Sequence, residues 1–381
     1  MLNKYLKICK IIIHNLQFIL MFMKNFYSVK KYNIIGIMSG TSCDGLDIAH
    51  CEFYLKNDIW NYKIINAETY QYSNSWIEIL KTAQNLSAFD FLLIHNKYGE
   101  YIAEKVNNFI TKFNCKIDFI SSHGHTIFHQ PDKGLTYQIG NGASITAKTG
   151  ITTISDFRTL DVALGGQGAP LVPIGDELLF SKFDYCLNLG GFANISFNKN
   201  DKRIAFDICP VNIAINYFTS KYFNKDYDKD GNLAKKGEIN FKLLEKLNSL
   251  EYYKLDFPKS LGREWFETTF LKIISTFKID ANDLLRTLYE HFAIQLASVI
   301  ESDNEKTVLV TGGGAFNCFF IEIFKTKTKA NIILPDQNLI NFKEALIFAF
   351  LGLLRVKEIP NCLSSVTGAK KDNCGGNIYI A

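Results

Sequence analysis

From Tyr32 onward, apolar runs of strand length alternate with polar, glycine-bearing turns. Asn33–Met38 (NIIGIM) predicts a buried strand, Ser39–Gly45 a turn and Leu46–Tyr54 a returning strand. Trp76–Phe113 carries spaced apolar positions suited to helices. Ile117–Ser121 predicts a short strand that ends at the polar cluster Ser122-His123-Gly124-His125-Thr126, and Ile151–Ile154 another, ahead of Ser155-Asp156-Phe157-Arg158. The first pattern then recurs. Tyr185–Leu189 runs into Gly190-Gly191, Phe192–Phe197 returns, and Arg203–Phe206 leads to Asp207. Two strand–glycine–strand units are weak evidence of duplication, because hairpins are common.

Further along, Leu284, Leu288, Phe292, Leu296 and Val299 fall on one stripe, predicting an amphipathic helix over Asp283–Ile300 capped by Asn282 or Asp283. Val308–Val310 predicts a buried strand that meets Gly312-Gly313-Gly314, with a helix from Asn317; Lys343–Val356 predicts a second, deeply buried helix. No Pro/Ser-rich linker or low-complexity tract interrupts the chain. The pattern therefore predicts two lobes that pack directly, 31–181 and 182–381, with the boundary near Ser181.

Length and composition narrow the picture. The 381 residues suffice for two domains, and 47% hydrophobic with 21% charged residues is a globular profile. A formal charge of +4 with no dense Lys/Arg tract argues against a nucleic-acid partner. The nine cysteines include no CxxC pair, so free thiols in a reducing cytoplasm are the simplest account. Ile11–Phe22 is apolar but too short for a membrane span and contains His14, Asn15 and Gln17. Lys4, Lys7 and Lys10 ahead of it resemble a signal peptide, yet no small-residue cleavage site follows. Residues 1–30 are read as an extension outside the fold.

Several segments concentrate groups that do chemistry. In Gly36–Asp47, glycines let backbone N–H groups approach phosphate oxygens, Ser39, Thr41 and Ser42 add hydroxyls, and Asp44 and Asp47 offer oxygen ligands for magnesium. No Gly-Lys-Ser/Thr follows, which excludes a Walker loop, and a strand rather than a helix comes next, which excludes a dinucleotide fingerprint. A plain glycine hairpin with a polar tip is the equal alternative. Asp156, Arg158 and Asp161 precede Gly165-Gly166-Gln167-Gly168, a loop that a substrate can approach closely; a structural Arg–Asp pair is the competing reading. Asp207 is a candidate general base at a strand end, or a cap for the segment after Pro210. Gly312–Asn317 has the strand–glycine–helix order of a nucleotide site, or of a tight turn. Thr367-Gly368-Ala369 and Asn373–Gly376 read as loop without a role.

Taken together, GIMSGTSCDGLDIAHCEF, SSHGHTIFHQP, SDFRTLDVALGGQGAPLVP, CLNLGGFANISF, FPKSLGREWF and VLVTGGGAFN, in this order, closely resemble the anhydro-N-acetylmuramic acid kinases from about Tyr32 to the C-terminus. The resemblance implies an α/β, two-lobed actin-like ATPase fold of the sugar kinase, Hsp70 and actin class, with a ligand cleft between the lobes. It implies ATP and Mg2+ as cofactors and a small-molecule sugar as substrate, in the bacterial cytoplasm. The implied reaction is phosphorylation of 1,6-anhydro-N-acetylmuramic acid at O6 with hydrolysis of the anhydro ring, in cell-wall recycling. A homodimer is left open.

Residue by residue, Gly40, Thr41, Ser42, Cys43, Asp44, Gly45, Leu46 and Asp47 match the ATP-binding stretch. Gly190, Gly191 and Asn194 match a second phosphate-side hairpin, and Gly312, Gly313, Gly314 and Asn317 a nucleotide loop. Asp207 matches the catalytic aspartate. His123, Asp156, Arg158, Asp161 and Gln167 match sugar-side positions. Two departures stand out: Ile208-Cys209-Pro210-Val211-Asn212 replaces the usual Thr-Gly-Pro-Gly-Asn, and His125 replaces a glutamine. The bulkier loop is expected to narrow the site. On that ground a kinase of another amino sugar, or a catalytically weak nucleotide-binding protein on the same scaffold, is the alternative.

Overall fold

A computed structural model describes residues 30–301 and 303–381. The extension expected at 1–30 lies outside the described residues except for Lys30. Twelve strands form two sheets among the described residues. The first sheet contains β1 (Lys31–Ser39), β2 (Leu46–Lys56), β3 (Ile59–Tyr70), β4 (Phe119–Gln130), β5 (Leu135–Ile139), β6 (Thr153–Ser155) and β12 (Asn377–Tyr379). The second contains β7 (Tyr185–Leu189), β8 (Phe192–Lys199), β9 (Lys202–Pro210), β10 (Thr307–Thr311) and β11 (Asn331–Ile333).

The weak hint of duplication becomes concrete in the strand order. The first sheet runs β3-β2-β1-β4-β6 and the second β9-β8-β7-β10-β11. In each, the first three strands are antiparallel neighbours and the last two join in parallel. Parallel neighbours need crossover connections, and helices supply them. On these connections lie α1 (Ala88–Phe113) before β4, α3 (Asn212–Phe223) and α4 (Ala281–Ser298) before β10, and α5 (Cys318–Lys325) before β11, whereas α2 (Val172–Leu179) leads from the first sheet to the second and α6 (Gln337–Val356) leads back.

Helix α6 explains how the halves meet. Asp336 caps it by accepting from the Leu339 amide at 2.9 Å. Its residues from Ala345 to Leu354 are buried on every face, so it reads as continuous apolar sequence rather than as a stripe. One core joins α6 to Ile34 and Ala49 of the first sheet and to Cys186 and Leu309 of the second. The backbone of β1 touches the helix: a Cβ on Gly36 would overlap the Ala345 carbonyl. Gly36, placed by sequence at the start of the phosphate hairpin, is thus a packing residue in mid-strand.

Four sequence expectations change. The polar cluster 122–126 does not follow a strand but lies inside β4, kinked at Gly124 (φ 74°). Helix α4 starts at Ala281, capped by Asp280, while Asp283 instead accepts the Glu238 amide. Asp207 lies within β9, opposite Asn194, and α3 beyond it has no side-chain cap. Finally, β12 pairs with β6 and α6 packs on the first sheet, so by sheet membership the C-terminal segment does not group with the residues from 182 on.

Candidate functional site

The hairpin between β1 and β2 carries the first group of expected residues. The Cys43 amide donates to the Gly40 carbonyl at 3.1 Å, closing the turn, and Thr41, Ser42 and Asp44 are exposed on it. Cys43 and Leu46 turn their side chains into the core under α1, so only their backbone can meet a ligand. Asp47, half-buried, accepts from Thr69 Oγ1 at 2.6 Å. Burial, with the nearby Asp44 and Glu344 charges, pushes its carboxyl up to about 6.

Glu344, on α6, was not singled out by sequence. It keeps contact with solvent although protein surrounds it, as at the floor of an open cleft. Desolvation raises its carboxyl; Arg158 and Lys343 pull it down, and Asp44 pushes it up again. The lone signal was a Lys-Glu pair in an otherwise apolar helix.

Beside Glu344, Arg158 is fixed by two bonds. Its Nε donates to His123 Nε2 at 3.0 Å and its Nη1 to the Gly168 carbonyl at 2.6 Å. Desolvation lowers the guanidinium to about 10, which leaves it cationic at neutral pH. His123 is buried; its Nδ1 donates to the Gly124 carbonyl at 2.9 Å, and desolvation followed by the Arg158 charge holds its pKa well below the usual range. Both ring nitrogens are therefore occupied, and His123 braces Arg158.

Asp161 is also engaged within the protein. It is fully buried, and its Oδ1 accepts from Cys362, Thr367 and Asn373 while its Oδ2 accepts from the Gly168 amide. Four donors leave it nothing for a sugar; it holds the glycine loop in place. Thr367 and Asn373, which read as roleless loop, are its partners. Asp156 accepts from Thr159 and Asn377. Gln167 remains exposed, and its side chain has no hydrogen-bond partner among the described residues.

In the second sheet, the carbonyls of Gly190 and Gly191 accept the first amides of α3. Gly312 (φ 81°) packs on Asn188 and Leu189, whereas Gly191 and Gly313 are exposed, and a Cβ there would make only ordinary contact with Ile213 and Asn212. Asn194 is half-buried on β8. Asn317, expected at the nucleotide, caps α5: its Oδ1 accepts from the Phe320 amide, and its Nδ2 donates to the Asp228 carbonyl and to Tyr289 Oη.

Asp207 is held by the second lobe alone. Its amide donates to the Lys259 carbonyl, its carbonyl accepts from Tyr252 Oη at 2.6 Å, and its Oδ2 accepts from the Leu261 amide at 2.9 Å. Oδ1 makes no hydrogen bond among the described residues. Burial raises the carboxyl pKa, and the Leu261 bond only partly opposes it. A raised carboxylate with one free oxygen is what a general base requires. The neighbouring Ile208, Cys209 and Val211, expected to narrow the site, are buried in the second lobe's core instead.

The family model for anhydro-N-acetylmuramic acid kinase matches residues 32–381. The chain belongs to that family. Among its relatives, proteins named anhydro-N-acetylmuramic acid kinase from Sulfurimonas denitrificans and Vibrio cholerae are each 34% identical over 91% of this chain, covering 98% and 97% of their own lengths. One from Aliivibrio fischeri is 33% identical over 93% of this chain and all of its own length. A solved activator of 2-hydroxyisocaproyl-CoA dehydratase from Clostridium difficile, with bound ADPNP, covers 86% of this chain and 97% of its own at 14% identity. Its TM-score of 0.38 is too low to bear an argument. The two sheets share one strand order, which makes this an α/β architecture with two similar halves.

Among the described residues, no group of three or more His, Cys, Asp or Glu side chains is arranged around one point as a metal cage. Asp44 and Asp47 still suit magnesium, which commonly takes one or two carboxylates and completes its shell with water and phosphate. No described helix is long and apolar enough to cross a membrane.

Proposed function

We propose that this kinase phosphorylates 1,6-anhydro-N-acetylmuramic acid at O6 while water opens the anhydro ring, producing N-acetylmuramic acid 6-phosphate and ADP. Its place is cytoplasmic recycling of cell-wall peptidoglycan. The observation that carries the reading is Asp207: one carboxylate oxygen clamped by the Leu261 amide, the other free, and a pKa raised by burial.

In this reading Asp207 takes a proton from the water that bonds to the anomeric carbon. The bond from that carbon to O6 breaks, and O6 receives the γ-phosphoryl group. Arg158, braced by His123 and Gly168, and Gln167 orient the sugar. The exposed backbone of Gly191 and Gly313 and the turn at Gly40–Asp44 receive phosphates. Asp44 and Asp47 would hold Mg2+, which supplies neutralisation of phosphate charge. The ground for a different amino-sugar substrate weakens, because Ile208, Cys209 and Val211 point into the core.

The test is to incubate the full chain with ATP, Mg2+ and the anhydro-sugar and to weigh the product. A 6-phosphate heavier by one water is expected; a phosphorylated sugar with its anhydro ring intact, or no product, overturns the reading.

A further inference from the structure

A groove lies in the second sheet's half of the molecule, apart from the residues assigned to ATP and sugar. It has a volume of about 720 Å³ and lies at the end of the second sheet where β7 begins, walled by the ends of β8 and β9 and by the segment 253–259. None of the cleft residues described above lines it. Its floor is apolar and partly open: Phe197 and Phe257 are half-buried and Leu255 is 56% exposed.

Five lysines line it. Lys306 is paired with Asp184 and Glu301, and Lys254 with Glu251. Lys182, Lys199 and Lys259 have no carboxylate at ion-pair distance among the described residues. They rest on aromatic faces instead: Lys182 over Phe183 at 5.0 Å, Lys199 over Phe257 at 5.1 Å and Lys259 over Phe206 at 5.4 Å. Cation–π contacts hold ammonium groups in place without neutralising them. The result is three lysines outside ion pairs around a partly exposed apolar floor, with Asp256 a further carboxylate near Lys259.

The wall of this groove is also the clamp on Asp207. Lys259 gives its carbonyl to the Asp207 amide, and two residues on the Leu261 amide holds the Asp207 carboxylate. The Lys259 ammonium ties the segment into a loop by donating to the Leu255 carbonyl at 2.8 Å and the Tyr252 carbonyl at 3.4 Å. Tyr252 in turn donates its hydroxyl to the Asp207 carbonyl.

We infer that this groove is a second ligand site, one that takes a phosphomonoester or phosphonate carried on a flat ring with an apolar face, and that its occupancy loosens Asp207. The anion sits among Lys182, Lys199 and Lys259 while the ring covers Phe197, Phe257 and Leu255. Drawing the Lys259 ammonium toward the anion releases the Leu255 and Tyr252 carbonyls, and the clamp slackens. The coupling rests on the reading of Asp207 as base; the binding does not.

The full chain, saturated with a non-hydrolysable ATP analogue and the anhydro-sugar, is titrated by calorimetry with two probes. Phenylphosphonate presents an aromatic ring and glucosamine 6-phosphate a sugar ring. Saturable binding of either one at or below about 1 mM is expected, and the tighter probe identifies the ring class. In the Lys182→Glu/Lys199→Glu variant, whose fold is checked by its unfolding temperature, affinity falls about tenfold or more. No saturable binding of either probe, or undiminished binding in the folded variant, overturns the site.

Turnover measured as ADP release gives the second arm. The tighter probe lowers kcat while KM for ATP stays constant, and the effect is lost in the double variant. An unchanged kcat at saturating probe overturns the coupling. A chain that binds the probe yet never phosphorylates the sugar sinks the kinase reading and leaves the groove standing.

Discussion

At the residue scale, Asp207 and Asp47 owe their raised pKa values to burial but put them to opposite uses. Asp207 has to be ionised to accept a proton, so kcat/KM is expected to fall as pH drops through a value above the ordinary carboxylate pKa of about 4. Asp207→Asn removes the base and keeps the shape. Turnover should fall by about 10²- to 10⁴-fold with ATP affinity unchanged. Near-normal turnover in a titrated, pure sample would remove Asp207 from the role. Asp47, pushed up to about 6, loses ionisation energy on folding. The sign follows: its charge costs no stability below the unfolded pKa of about 4, a growing amount between about 4 and about 6, and a constant amount above. Asp47→Asn should therefore melt higher than the parent at pH 7.5 without Mg2+ and lose that advantage near pH 4, while ATP turnover collapses. An equal melting temperature at both pH values would mean that the carboxylate is not strained.

At the scale of elements, glycine decides how closely β1 and α6 approach. The Gly36 position faces the Ala345 carbonyl, which is helix backbone and cannot swing aside. Gly36→Ala is expected to cost about 3 kcal/mol or to prevent folding, measured by urea denaturation. A loss under about 0.5 kcal/mol would show that helix and strand are looser than described. The same principle runs through β4. Its polar residues are inside the strand because their partners are across it: His125 Nδ1 meets Ser39 Oγ at 2.8 Å, and Ser39 meets Tyr72 at 2.7 Å. A string such as SSHGHT looks like loop only while those partners are unknown.

For the whole molecule, a buried ionic cluster ties the lobes at the root of α6. Lys343 Nζ lies 2.7 Å from Asp176 Oδ1 on α2, and Asp176 also accepts from Ser196 of β8, which Arg203 of β9 contacts at 2.7 Å. Lys343, Asp176 and Arg203 are each at most 5% exposed. Taking one partner from such a group strands the rest, so Lys343→Met should destabilise the chain by about 3 kcal/mol. Because Lys343 adjoins Glu344 at the cleft floor, KM for the sugar should rise as well. A stable variant with unchanged KM would reduce the cluster to packing.

The sequence by itself determined the local elements and the family. Strand-length apolar runs, glycine turns and the stripe on α4 depend on neighbours along the chain, and they were legible to within a few residues. The motif strings from Tyr32 on were legible too, because they are contiguous runs of residue types that no distant contact has to supply. Only the tertiary structure decided which of the motif's polar groups are free. Asp161, His123 and Asn317 are spent on Gly168, Arg158 and Phe320, respectively, among other partners. Glu344 is exposed in a cleft its own helix gives no hint of, and Asp207 keeps one oxygen because Leu261 takes the other. A side chain's hydrogen-bonding capacity is fixed by its type, but whether that capacity is already used depends on residues far away in the chain.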